Sequence, residues 1–480
     1  MKLFKYSIYS FVVIIPLLIG CAPSREPLTQ SSLPDGFGAN VGSDTSNWGL
    51  VHWREFFKDQ QLQRLIQEGL SNNQDVLKTF YAIQRAQASL RQAKLGQLPE
   101  LNAFAGAGVT RFGEYTMDGV GNADSNLSPT VPEDKQIPDP YRDFTLGLDF
   151  NWEIDIWGKL AMQKRQAAAR FLESEEMYAL AKTNLIASIA EAYYLAVGLS
   201  EEIRILEENI SIQINQFELG KSLKETGQDS QLSLDQFEAL LLNSRGVLLD
   251  KRKLLQQAKL TLMQLTATTD DNINVQYFSQ TDHVPEVLNI GIPSDLLRLR
   301  PDVRAAERNL EAQNLQVSIA RTAFFPSFNL AGLVGFNAFE FGRLFQTPAS
   351  GVYQLGGGLV APIFNRSRIQ AFYQTAKADQ RIALLDYEQT ALVSYLEILR
   401  LVNDYQFLTE QVTLKSEEVA IQKRSIDNAT TMFRIGYADY LDVINSQTRS
   451  LESELAYVQL QVDKLQNYSQ LYRALGGGWQ

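Results

Sequence analysis

Apolar residues recur at alternating four- and three-residue spacing through four long stretches of the chain. Leu185, Ile189, Ala192, Ala196, Leu199, Ile203, Leu206, Ile210 and Phe217 form the first, with Gln213 its one polar interruption. Leu234, Phe237, Leu241, Leu248, Leu255, Ala258, Leu262 and Leu265 form the second, broken by Ser244 and Lys251. A thinner third runs through Ile398, Val402, Tyr405, Val412 and Val419. The fourth runs through Leu441, Ile444, Leu451, Leu455, Val458, Val462, Leu465 and Tyr472. Heptads sustained this long predict helices packed as coiled coils. Proline placement agrees, because no Pro lies between Tyr141 and Val284 or after Ile363, and Pro is costly inside a helix.

A second pattern has period two. Phe144, Leu146, Leu148, Phe150 and Trp152 alternate with Thr145, Gly147, Asp149, Asn151 and Glu153, which predicts a strand with one apolar and one polar face. Leu101 to Arg111 alternates small residues, and Phe328, Leu330, Val334 and Phe336, then Tyr353, Leu355, Leu359 and Ile363, repeat the theme. Strands are therefore expected near 101–112, 143–153, 327–337 and 353–364, with surface loops at 113–142 and 338–352. Each strand has about the ten residues that cross a tilted bilayer path. Four strands cannot close a barrel, and open edges are not tolerated in lipid. If these strands lie in a membrane, several copies must share one barrel.

The chain is also built twice. Asp75 to Asn102 aligns without a gap on Asp302 to Asn329 over 28 positions, with identities at Asp75/Asp302, Val76/Val303, Ala93/Ala320, Pro99/Pro326 and Asn102/Asn329. Each half runs helix, strand, loop, strand, long helix, Gly turn and return helix. The expected helices are Asp75–Asn102, Ile156–Leu223 and Ser230–Thr266, then Asp302–Asn329, Phe364–Arg434 and Asp439–Leu475. Each long helix reaches about 100 Å, and the two shorter ones together match it. The domain plan is a signal peptide (1–20), a lipid-anchored tether (21–52), a first repeat (53–290, turn at 224–230) and a second repeat (291–480, turn at 433–440). The fold class is mainly α with a membrane β portion, in one elongated body.

Charge and composition narrow the function. The formal charge is -11, from 44 Lys and Arg against 55 Asp and Glu, which argues against nucleic-acid binding. Two His and one Cys leave no zinc cluster and no internal disulfide. Glu201-Glu202, Glu207-Glu208 and Asp270-Asp271 are neighbours that do not face each other on a helix. Gly356-Gly357-Gly358 lacks the context of a phosphate loop, and Gly476-Gly477-Gly478 reads as a C-terminal stop. No enzyme and no cofactor are expected. Lys2, Lys5 and the apolar run Ile8–Ile19 read as a secretory signal. Leu18-Ile19-Gly20-Cys21 matches a lipobox, so Cys21 is the expected site of lipid attachment. Residue 22 is Ala, which favours the outer over the inner membrane.

The run Ile292-Pro293-Ser294-Asp295-Leu296-Leu297-Arg298-Leu299-Arg300-Pro301-Asp302-Val303-Arg304-Ala305-Ala306-Glu307 resembles a motif of the TolC-like outer-membrane factors. Asn151-Trp152-Glu153-Ile154-Asp155-Ile156-Trp157-Gly158-Lys159 and Ala320-Arg321-Thr322-Ala323-Phe324-Phe325-Pro326 resemble that family's strand–helix junctions. The resemblance covers the chain from Trp53 onward. It implies an efflux duct lipid-anchored in the outer membrane of a Gram-negative cell and reaching into the periplasm. Three copies would form a twelve-stranded β-barrel continued by an α-barrel. The implied partners are outer-membrane lipid, a periplasmic adaptor (membrane fusion) protein and an inner-membrane RND-type pump, with no energy source in the chain itself. Within the motif, Arg300, Pro301, Asp302, Arg304 and Glu307 are read as structural. The resemblance makes Thr226-Gly227-Gln228-Asp229-Ser230 and Ile435-Gly436-Tyr437-Ala438-Asp439 adaptor-docking turns, with Asp229 and Asp439 capping the return helices. By position it maps the family's periplasmic gate to Asp442 and Asn445, although Asn445 departs from the acidic pattern. The same architecture also serves type I protein secretion. A lipid-anchored periplasmic coiled-coil scaffold would explain the heptads but not the strand at 144–152.

Overall fold

The computed structural model describes residues 48–227, 230–270, 273, 275 and 299–479. Cys21, Gln228, Asp229, residues 292–298 of the motif and the expected repeat boundary at 290/291 lie outside them. In chain order the elements are α1 (Trp53–Phe56), α2 (Gln60–Asn72), α3 (Gln74–Leu95), β1 (Glu100–Thr110), α4 (Met117–Leu127), β2 (Tyr141–Ile154), α5 (Lys159–Glu225) and α6 (Gln231–Thr266). They continue with α7 (Pro301–Thr322), β3 (Ser327–Ala338), β4 (Gly351–Val360), α8 (Arg368–Arg434) and α9 (Tyr440–Ala474). Among the described residues, those within 86–170 and 310–382 form one compact unit, and those within 48–85, 171–270, 299–309 and 383–479 form a second.

The first unit holds a four-stranded antiparallel meander in the order β1-β2-β3-β4. Its register places Leu101 opposite Phe150, Leu148 opposite Val334 and Val334 opposite Tyr353. Beside the sheet, Val317 and Ala320 of α7 pack on Tyr373 and Ala376 of α8.

The second unit is organised around α5. Ile186, Ile189, Tyr193, Tyr194 and Val197 are buried against Trp53, Phe56 and Phe57, Leu62 and Ile66 of α2, Leu262 of α6, and Tyr468 and Tyr472 of α9. Phe56 stacks on both Tyr468 and Tyr472, with centroids at 4.3 and 4.1 Å. The end of the expected tether is therefore docked: Tyr472 Oη donates to the Val51 carbonyl at 2.6 Å.

Several expected boundaries move. The helix expected from Asp75 to Asn102 stops at Leu95, and residues 100–102 already belong to β1. Pro99 has no N–H to continue the helical ladder and pushes its predecessor toward extended backbone. Its counterpart in the second half likewise stops at Thr322, before Pro326. Helix α2 arises unannounced: Asp59 caps it by accepting from Gln61 N and Leu62 N and also takes the Tyr193 hydroxyl at 2.7 Å. Asn73 then starts α3 by accepting from Asp75 N and Val76 N. Part of the expected loop 113–142 folds as α4, capped by Thr116. Strand β4 ends at Val360, short of 364. Ser230, not Asp229, is the N-cap of α6, accepting from Ser233 N at 3.1 Å. Gly476–Gly478 does more than stop the chain. Gly476 and Gly478 take positive φ, and a Cβ on Gly477 would lie 2.4 Å from the Tyr472 ring. The three glycines let the last turn press against α9.

The breaks in the α6 heptad have a cause. Lys251 meets the buried Glu202 of α5 at 2.7 Å, and Ser244 is buried in the same seam. An ion pair inside a seam fixes helix register at a cost in stability. Lys251→Met should lower stability by about 2 kcal/mol, less than a fully buried charge because the lysine partly reaches solvent. Denaturant unfolding of the single variant and of the Lys251→Met/Glu202→Leu pair tests this. The pair should recover most of the loss; equal losses in both would mean the ion pair is not the cause.

Candidate functional site

Three features are candidates for function or for holding it in place: the faces of the sheet, a buried ionic frame, and the two Gly turns. One face of the sheet is apolar across all four strands, with Ala103, Leu148, Val334 and Tyr353 in one row and Leu101, Phe150, Gly332 and Leu355 in the next. The other face is mostly polar or small, with Asn102, Asp149 and Gln354 in one row and Gly106, Thr145 and Asn337 in another, and with Phe104 and Leu333 among its apolar exceptions. Its charges are the carboxylates Glu100, Asp143, Asp149 and Glu153, with no Lys or Arg at the same parity in any strand. Aromatics bracket the apolar band. At the loop end Phe144, on the apolar face, contacts Phe341, while Tyr141, at the parity of the polar face, contacts Phe112 and Phe339. At the helix end Trp157 stacks on Phe325 with centroids 4.9 Å apart. An outward apolar band between two aromatic girdles is what a bilayer selects in a barrel wall. Among the described residues no helix is long and apolar enough to cross a membrane. Strands β1 and β4 each leave one edge unpaired in the protomer.

The junction at 151–159 explains its own residues. Asp155 accepts from Leu160 N and Ala161 N at 3.1 and 2.9 Å, satisfying the start of α5. Glu153 pairs with Lys159 at 2.8 Å. Trp152 donates to the Gln97 carbonyl, and Trp157 to that of Pro326. Gly158 supplies φ +72°.

The ionic frame is built on Arg300, which is 5% exposed. Its guanidinium grips Asp302 through two bonds of 3.0 and 2.7 Å, Glu397 of α8 at 2.8 Å and the Ala474 carbonyl of α9 at 2.9 Å. Glu397 also receives Arg473. Burial works against the charge on Arg300, but Asp302 and Glu397 outweigh it and raise the guanidinium pKa. Pro301 opens α7, where its missing N–H costs nothing. Arg304 meets Glu176 at 2.5 Å and lies 5.2 Å from the Trp479 ring centre. Burial still raises the Glu176 carboxyl pKa against that pairing. Glu307 is exposed on α7 and stands outside this frame. Glu176, Glu397, Arg473 and Trp479 are partners the sequence did not single out.

The Gly turns close in similar ways. Gly227 has φ +74° and donates to Lys224 O; Gly436 has φ +78° and donates to Phe433 O. Thr226 Oγ1 donates to Leu223 O. Ile435 and Tyr437 are 63% and 84% exposed, bare apolar surface on a turn, while Ala438 is half-buried and Asp439 caps α9. Beside the turns lies a cavity of about 370 Å³ between Leu219, Phe237, Phe433 and Val443. Asp442 and Asn445 are both exposed on α9. The Asp442 carboxylate accepts the Asp439 N–H at 3.0 Å, so it already closes a capping box.

The family described as outer membrane efflux protein matches residues 65–268 and 292–477, that is, both halves. The pyoverdine export outer membrane protein OpmQ of Pseudomonas putida is 28% identical over 471 residues, covering 97% of each chain. The cation efflux system protein CusC of Escherichia coli is 26% identical over 470 residues, covering 96% of this chain and 97% of its own. Among solved structures, the open state of the Neisseria gonorrhoeae MtrE outer membrane channel gives a TM-score of 0.83 at 21% identity, covering 96% of this chain and 99% of that one. The Campylobacter jejuni CmeC outer membrane channel gives 0.82 at 24%, covering 95% and 94%. The structures speak for the fold and the family match for descent. With both halves matched and a sheet built for lipid on one face and water on the other, the chain belongs to the outer membrane efflux protein family.

Proposed function

We propose that this outer membrane efflux protein works as a homotrimer whose three sheets close one barrel around the polar face. The observation that carries this is the pair of open edges, β1 and β4, on a sheet with one apolar face, interrupted in β2 by Arg142 at its loop end. In lipid an unpaired edge costs several kcal/mol per unsatisfied group, so copies must share the wall. Exposed Leu385, Leu392, Leu414 and Ile421 on α8 and Leu242 and Leu249 on α6 are spaced by sevens, or nearly so, and supply helical seams for the same closure. The trimer is a passive exit duct for small toxic compounds. Lipid on Cys21 holds it at the outer membrane, and the turns at 226–230 and 435–439 dock a periplasmic adaptor that links it to an inner-membrane RND-type pump. The mature protein in detergent should have the mass of three chains and conduct in a planar bilayer. A monomer, or a trimer without conductance, would sink the reading.

Asp442 and Asn445 form the periplasmic constriction. Three Asp442 carboxylates facing one axis repel one another and gather cations. Asp442→Ala should raise single-channel conductance. It should also cost α9 about 1 kcal/mol, because the same carboxylate caps the helix. Unchanged conductance would make Asp442 a capping residue alone.

A further inference from the structure

A cleft of about 580 Å³ opens at the strand-to-helix corner of the first unit. Trp157, Phe325, Pro362, Ile369 and Phe372 are among its walls. The wall is rigid on one side, where Trp157 stacks on Phe325 and donates Nε1–H to Pro326 O at 2.6 Å. The other side, at the start of α8, is open, and Phe372 stays 42% exposed. Among the charged groups that also line it, Glu153 and Lys159 pair with each other and Asp155 caps α5. Its lining is mainly apolar, and a preformed cleft of this kind beside an unpaired sheet edge calls for an apolar occupant.

The opposite edge of the same sheet carries a matching projection. Between α3 and β1, Leu95 and Leu98 are 53% and 61% exposed. That corner is held in shape: Leu98 N donates to Leu95 O at 2.9 Å, and Trp152 Nε1–H to Gln97 O at 3.0 Å. The topology decides where it goes. Strand β1 leaves the helix-bearing end of the sheet and β4 returns to it, because the four strands form one antiparallel meander. The free edge of β4 can therefore continue the meander only by pairing antiparallel with β1 of the next copy. Both corners lie at the helix-bearing end of the sheet, and rotation about the barrel axis carries each to the next copy at its own height. The Leu95–Leu98 corner of one copy then arrives beside the Pro362–Phe372 corner of its neighbour.

We propose that Leu95 and Leu98 of each copy fill the Trp157–Phe372 cleft of the next, a knob-and-socket lock at the join of β-barrel and helices. The lock rests on the trimeric reading, and its occupant is a second copy of this chain. It explains why exposed leucines flank a corner fixed by hydrogen bonds, and why the cleft is incomplete in the single chain.

Cysteine pairing in the full-length assembly tests it, since Cys21 is the only cysteine in the chain. The pairs are Leu98→Cys with Phe372→Cys, and Leu95→Cys with Ile369→Cys. Leu98→Cys with Tyr353→Cys, at the far end of β4, is the control. Oxidation should convert more than half of at least one test pair into reductant-sensitive covalent dimers and trimers, and leave the control and the single variants uncrosslinked. Trimeric native mass with no crosslink in either pair overturns the lock and leaves the trimer standing. Monomeric mass of the unsubstituted protein overturns both. Should a pair fail to assemble, a photocrosslinking benzophenone amino acid at position 98 alone gives the answer. Its captured peptide should contain residues 362–372 of the neighbouring copy, and capture elsewhere overturns the lock.

Discussion

Arg300→Ala should destabilise the folded chain by about 4 kcal/mol, because it removes one partner from a buried ion-pair frame and leaves the others charged. Arg300 is the node of that frame. It holds Asp302 at the start of α7, Glu397 in the middle of α8 and the Ala474 carbonyl at the end of α9. Without it, the buried Ala474 carbonyl loses its partner, and Asp302 and Glu397 face each other with only Arg473 to balance Glu397. Arg300→Lys keeps the charge but cannot make the planar double bond to Asp302, so it should cost about half as much. Glu397→Gln should cost less again, since an amide still accepts from Arg300. Denaturant unfolding of the three variants in detergent checks the order. An Arg300→Ala variant within about 1 kcal/mol of wild type would show that relaxation or water replaces the frame.

Periodic features were legible in the sequence and single-point features were not. The α5 heptad from Leu185 to Ile210 announced itself because a buried seam must repeat wherever it is buried. The 144–152 alternation gave β2 and its two faces for the same reason, and β3 and β4 followed more faintly. Strand β1 was harder, since Ala105 and Ala107 carry little contrast with Gly106 and Gly108, and Phe104 puts its one large ring on the opposite face. The helix expected to reach Asn102 overshoots because the internal alignment spans helix and strand alike and so does not mark where the helix ends. Gly96 and Pro99 already marked its end. Helix α2 is too short for a long-period signal, though Asp59 ahead of Leu62, Leu65 and Ile66 is a readable cap. At the candidate site, the resemblance drew attention to Asp442 as a gate, while Asp439 and Asp442 also fit a capping box, which is the contact seen. The ionic frame lay beyond reach. Nothing local ties Arg300 to Glu397 or Arg304 to Glu176; only the packing of α5, α7, α8 and α9 brings them together.

The glycines of the sheet give the second large effect, and its size turns on which atom an added methyl group meets. Gly335 lies opposite Gly147 where β2 and β3 pair. A Cβ on Gly335 would stand 2.4 Å from the Leu146 carbonyl oxygen and 2.7 Å from Gly147 Cα. Both are backbone, and neither can move without parting the central strands. Gly332 is as crowded, with a Cβ 2.3 Å from the Phe150 ring, but that ring ends a side chain lying over the glycine and can turn aside. Gly335→Ala should therefore cost about 3 kcal/mol, the upper range for overpacking, and Gly332→Ala about 1 kcal/mol. Gly342→Ala, with open space around it, should change little. In a shared barrel the strain at Gly335 is repeated in every copy, so the yield of trimer should fall more steeply than the stability of one chain suggests. Trimer yield and midpoint of thermal unfolding, measured for the three variants side by side, decide the matter. Equal behaviour of Gly335→Ala and Gly332→Ala would mean that β2 and β3 approach less closely than their register requires.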